Sequence, residues 1–278
     1  MMRLMYIFIL VFTASSVMAE TKESIHQKVI RTGELRCGYA LWPGLVEKDP
    51  NTGEMSGAFY EYMEELGKTI EVKIVWAEEI NFGDIVESLR SRRVDAICSG
   101  AWTNAIRGKF TNFTNPIAYQ SISAYVRNDD NRFDNRLEIA NSPTITISTI
   151  DGESAATIAS TDFSVAKVTS LPKGTDVSQM LLNVVTKKAD ITFTDVGSAN
   201  QFITKNPGQL KAVKTNYPAR VFGLPIVLAK GEWDLKESLN AATNQLLWTG
   251  SIEKILKKYE KVSGMFLRVN QPFSIEVK

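Results

Sequence analysis

Residues 86–100 read VESLRSRRVDAICSG, and residues 181–195 read LLNVVTKKADITFTD. Each begins with apolar residues at helical spacing. Each helix ends in two basic residues, Arg92-Arg93 and Lys187-Lys188, followed by an aspartate, Asp95 or Asp190, and a short strand. The echo predicts two lobes of similar topology. In open α/β sheets, ligands bind beyond the carboxyl ends of strands. Past the first strand lie Gly100 to Arg107, and the second strand closes with Asp195. One lobe offers a cation and the other an anion, a combination suited to a zwitterion.

Working outward, GELRCGYA and IEVKIVWA read as strands, and FYEYMEELGKT as a helix closed by Gly67. With the segment around residue 90 this gives strand–helix–strand–helix–strand, the pattern of a parallel α/β unit. Residues 117–127, IAYQSISAYVR, read as one long extended segment. TITISTI alternates as a strand, ESAATIAS starts a helix, and the segment from Trp233 to Lys261 reads as two helices broken near Gly250.

The 278 residues are 44% hydrophobic and 23% charged, an ordinary globular composition. The first twenty residues, MMRLMYIFILVFTASSVMAE, carry one early cation, an apolar run and small residues before the end. They read as a secretory signal peptide cut after Ala19, which predicts an exported, soluble protein. Without Arg3 the cations balance the 31 acidic residues, so charge gives no argument for nucleic acid or an anionic membrane. Two cysteines, Cys37 and Cys98, sit in strand-like runs. Both are expected to be buried, either bridged, as an oxidising compartment permits, or as free thiols. A single histidine, His26, and no cysteine cluster argue against a zinc site or a Ser/His or Cys/His catalytic pair. No cofactor is expected.

From about residue 30 to residue 262 the chain resembles the periplasmic solute-binding proteins that deliver polar amino acids to ABC importers. The resemblance rests on the order and spacing of GELRCG, TGEMSGAFYEY, FGDIVESLRSRRVDA, TNAIRGKFTNFTNPIAY, STIDGES, ADITFTD, FGLPIVLAKGEWDL and WTGSIEKILKKYEK. It implies an α/β, two-lobed fold, each lobe a mainly parallel sheet flanked by helices. Residues 20–118 and 223–262 would form lobe one and 123–218 lobe two, with a C-terminal tail at 263–278. Two extended hinge strands would cross near 117–122 and 219–223. It also implies a monomer that captures an amino acid by closing its lobes and presents it to an inner-membrane permease.

By the same resemblance, Arg107 clamps the ligand carboxylate with its planar fork. Gly100 offers its carbonyl oxygen to the ammonium, which Asp195 neutralises. Ser154, at the start of a helix, helps bind the carboxylate. Trp42 and Phe82 sandwich the ligand side chain, and Tyr39 and Thr194 line the pocket. The chain departs from the family pattern where a hydroxyl residue is replaced by Trp102, whose backbone N–H remains as a donor, and where a threonine is replaced by Asn104. Asp195 also reads as a helix N-cap. Two alternatives remain at this stage. One is a periplasmic enzyme on the same scaffold, such as a cyclohexadienyl dehydratase with Asp195 or Glu153 as its acid. The other is a soluble ligand-sensing partner of a membrane receptor.

Overall fold

The computed structural model describes residues 23–269, so the expected leader lies outside the described residues. In chain order the elements begin with helix α1 (Ile25–Thr32), β1 (Glu34–Tyr39), β2 (Glu47–Lys48), β3 (Met55–Ser56), α2 (Ala58–Thr69) and β4 (Lys73–Glu79). A 3-10 turn at Phe82–Asp84 leads into α3 (Ile85–Arg90), β5 (Ala96–Ile97), α4 (Ala105–Gly108), β6 (Thr111–Phe113) and the long β7 (Ala118–Arg127). Then come β8 (Thr146–Ile150), α5 (Ser154–Asp162), β9 (Lys167–Leu171), α6 (Val177–Val185), β10 (Ile191–Asp195), α7 (Val196–Lys205) and β11 (Leu210–Ala212). The described residues finish with β12 (Arg220–Gly223), β13 (Val227–Ala229), α8 (Trp233–Trp248), α9 (Ser251–Tyr259) and β14 (Leu267–Arg268).

Two sheets result. One has the order β4-β1-β5-β13-β6, and the other β11-β7-β10-β8-β9, with β12 and β14 also paired to β7. The helix–strand echo is a structural repeat. Arg92 and Lys187 both take left-handed backbone, φ 55° and 63°, and turn the chain out of α3 and α6. Asp95 then accepts the backbone N–H of Arg36 at 3.0 Å, at the start of β1. Asp190 accepts that of Thr146 at 2.9 Å, at the start of β8. Each aspartate thereby fixes the register of the parallel pair that follows, β1 with β5 and β8 with β10.

The sheets are less parallel than the sequence suggested. Each has a parallel core, β4-β1-β5 or β10-β8-β9, flanked by antiparallel strands. The reason is the crossover. β7 enters the second sheet from the first lobe and runs against β10, while β13 returns to the first sheet against β5. The expected hinges fall on the first half of β7 and on β12, which pair from Ile122↔Arg220 to Tyr119↔Gly223. A third strand, β14, adds to the crossing by pairing Leu267↔Tyr119 and Arg268↔Ala118. Its neighbours Met265 and Phe266 are buried in the first core, so this part of the C-terminal segment is packed structure.

One core gathers residues between Ile25 and Ala118 with others from Leu224 to Phe266; a second gathers residues from Ile122 to Val213. Gly67 does not end α2, which continues to Thr69. It is a close-approach residue instead: a Cβ there would stand 2.6 Å from the Val72 carbonyl oxygen. Cys37 and Cys98 are both fully buried and joined in a disulfide, with Cα atoms 5.5 Å apart. His26 lies on α1, 3.2 Å from the Ser238 hydroxyl on α8.

Candidate functional site

Arg107 sits in the single turn of α4. Asn104 caps that turn, its Oδ1 accepting the Arg107 backbone N–H at 2.8 Å. The asparagine that departs from the family pattern is therefore the N-cap of this turn. The guanidinium is half-buried and donates to two carbonyl oxygens, Phe82 at 2.9 Å and Trp102 at 3.2 Å. Two of its five N–H donors are thus fixed to backbone. Burial pulls the Arg107 pKa below its usual value, while the charge of Glu153 acts in the opposite direction.

Gly100 ends the β5 unit with φ +69°, a conformation that side chains disfavour. A Cβ there would lie 2.9 Å from the Phe59 ring. Gly100→Ala should therefore cost about 1–3 kcal/mol of stability through backbone strain and the ring contact. Urea unfolding with an unchanged midpoint would refute that reading of the turn.

On the other lobe, Asp195 ends β10 and is 2% exposed. Its Oδ1 accepts the Ser198 N–H at 2.9 Å and caps α7, as expected. Its Oδ2 accepts the Trp42 indole N–H at 3.2 Å, a hydrogen bond that joins the lobes. Thr194 is buried beside it, with its hydroxyl at 3.5 Å from the same oxygen. Ser154 is the first residue of α5, and the N-cap position falls to Glu153, whose side chain makes no capping hydrogen bond.

The aromatic residues form a cluster. Trp42 meets Phe82 and Trp102 edge-on, with ring centroids 5.1 and 4.9 Å apart. Trp102 stacks on Phe222 of β12 at 5.1 Å and donates its indole N–H to Gln120 of β7 at 3.1 Å. Tyr39 packs instead against Trp76, at 5.7 Å. The structure thus brings Arg107, Trp42, Phe82 and Trp102 into one connected group and ties Asp195 to it through Trp42.

Sequence reasoning missed Gln120 and Phe222, which attach this group to the crossing strands. Gln120 is fully buried on the same face of β7 as Ala118 and Ile122, and its amide nitrogen has no partner among the described residues. A polar residue at an apolar register was the available signal. Among the described residues no cluster of potential metal ligands occurs, and no helix is long and apolar enough to cross a membrane.

The family of bacterial extracellular solute-binding proteins, family 3, matches residues 36–262. The chain belongs to this family. This solute-binding protein is 24% identical over 210 residues to the "Probable histidine-binding protein" of Campylobacter jejuni subsp. jejuni, covering 74% of this chain and 77% of that one. It is 22% identical over 217 residues to the "Probable amino-acid-binding protein YxeM" of Bacillus subtilis, covering 74% and 76%. Its fold is shared with an ancestral amino-acid-binding protein described as a precursor of cyclohexadienyl dehydratase, at TM-score 0.73, 21% identity, and 86% and 100% coverage. It is shared also with an ancestral arginine-binding protein bound to arginine, at TM-score 0.70, 21% identity, and 82% and 98% coverage.

Proposed function

We propose that this solute-binding protein captures a polar amino acid between its lobes and delivers it unchanged to an ABC permease. The carrying observation is the placement of Arg107 and Asp195 on opposite lobes, linked through one aromatic cluster. Arg107 holds the α-carboxylate, and Asp195 exchanges its Trp42 hydrogen bond for the α-ammonium or shares it. Gly100 and Ser154 contribute backbone groups, and the Trp42, Phe82 and Trp102 rings cover the side chain, with Tyr39 and Thr194 behind them. The family match and the amino-acid-binding relatives support this reading. The protein acts as an exported, periplasmic monomer, its lobes divided at the β7 and β12 crossings; a disulfide suits an oxidising compartment.

Ligand binding raises apparent stability by mass action, so a thermal-shift panel of the twenty amino acids tests the proposal. At least one should give a concentration-dependent rise in Tm. Asp195→Asn preserves helix capping and should abolish that rise, while sparing an analogue without the α-amine. A panel with no response, or an Asn variant that responds like the wild type, would reject the site.

One observation favours an enzymatic reading on the same site. Burial raises the Glu153 pKa, against the pull of Arg107, which suits a general acid. Consumption of prephenate or arogenate by the purified protein would establish it, and an unchanged substrate would exclude it.

A further inference from the structure

The segment after α9, read from the sequence as a C-terminal tail, ties the two lobes together. Its anchor is on lobe one. The Met265 backbone N–H bonds to the Val262 carbonyl oxygen at 3.2 Å. Arg268 pairs with Glu253 of α9 at 2.8 Å and with Glu260 at 2.9 Å. From this anchor the segment runs along the crossing. At Tyr119 of β7 the crossing is three strands wide, with Gly223 of β12 paired on one edge and Leu267 of β14 on the other.

Met265 reaches from this strap to both lobes. Its side chain is buried, and its terminal methyl lies against Gly44 of lobe one and Gly197 of α7 in lobe two. A Cβ at Gly44 would collide with that methyl, and one at Gly197 would stand 2.8 Å from it. The two glycines thus form a socket with one half on each lobe. Gly44 lies two residues after Trp42, and Gly197 two residues after Asp195. Trp42 and Asp195 make the 3.2 Å hydrogen bond that joins the lobes. The socket and that hydrogen bond are made by the same two segments, so parting the lobes opens both.

We infer that Met265 is a positioning residue: seated in the Gly44–Gly197 socket, it ties the C-terminal strap to lobe closure. It acts on the ligand through the lobes, by holding the Trp42 segment against the Asp195 segment. Methionine suits the task, since its unbranched thioether fills an irregular gap between two backbones. A ligand that binds the closed arrangement is held in proportion to the population of that arrangement. The strap therefore sets part of the affinity from outside the ligand's own contacts.

The first arm of the test needs no ligand. Spin labels on cysteines introduced at the exposed residues Ile30 of lobe one and Val165 of lobe two report the distance between the lobes. The native cysteines are bridged and do not take the label. Leucine keeps the apolar volume of Met265, but its side chain ends one atom short of the socket. Met265→Leu should therefore lengthen and broaden the distance between labels, and Met265→Ala should do so further. Should the alanine variant fail to fold, the leucine variant decides. A lower urea midpoint with an unchanged distance would mark Met265 as core packing alone and overturn the inference. A shorter distance would overturn it as well.

The second arm rests on the amino-acid reading above and uses L-arginine as its probe. Met265→Leu should bind it about three- to tenfold more weakly than the wild type, through faster release. Equal affinity in the two proteins would overturn the inference. A longer distance with no arginine response from either protein would support the strap and count against the amino-acid reading for that probe.

Discussion

Arg107→Ala is expected to weaken amino-acid capture by on the order of a hundredfold or more. The wild-type guanidinium is held by two backbone carbonyl oxygens, so its remaining N–H groups are oriented before the ligand arrives. Truncation leaves a ligand carboxylate desolvated without its counter-ion, and breaking one partner of a buried charge pair costs about 3–5 kcal/mol. It also frees the Phe82 and Trp102 carbonyls, two acceptors that water must then satisfy. Arg107→Lys should recover only part of the loss, since an ammonium supplies charge without the planar fork. Titration calorimetry reads both variants. An alanine variant with wild-type affinity would remove Arg107 from the site.

The second large effect concerns stability. Replacing Cys37 and Cys98 together with alanine should cost about 2–4 kcal/mol, because the bridge closes a loop across a sequence separation of 61 residues. Most of that loss acts through the unfolded chain, which the bridge constrains. The effect also reaches the site, since the bridged Cys98 follows β5 directly and lies two residues before Gly100, on the way to Arg107. Urea unfolding should show a lower midpoint for the variant, and for the wild type in strong reductant. Coincident curves with and without the bridge would contradict this account.

The echo of two helix–strand units was legible because it is local chemistry. A basic residue in left-handed backbone and an aspartate that takes a neighbouring strand's N–H recur at Arg92 and Asp95 and at Lys187 and Asp190. The antiparallel halves of the sheets were less legible, since the direction of β7 and β13 depends on where distant strands lie. The pairing of β14 with β7 was hidden for the same reason. Gly67 was misread because a glycine that ends a helix and one that admits a neighbouring backbone have the same sequence appearance; Val72 decides between them.

At the site, Arg107 and Asp195 stood out as charges just past strand ends. Burial of Gln120 and the Trp42–Asp195 hydrogen bond depend on contacts between segments far apart in the chain. The expected aromatic sandwich is an edge-on cluster. Tyr39 is drawn to Trp76 on the neighbouring strand β4.

The central claim is that a zwitterionic amino acid binds between Arg107 and Asp195 and leaves unaltered. Its most direct test is mass spectrometry of small molecules released by denaturing protein purified after exposure to a mixture of the twenty amino acids. The account predicts near-stoichiometric release of an intact amino acid from the wild type, and none from Arg107→Ala. Release of the same compound in equal amount from both proteins, or of a compound lacking either the α-carboxylate or the α-amine, would contradict it.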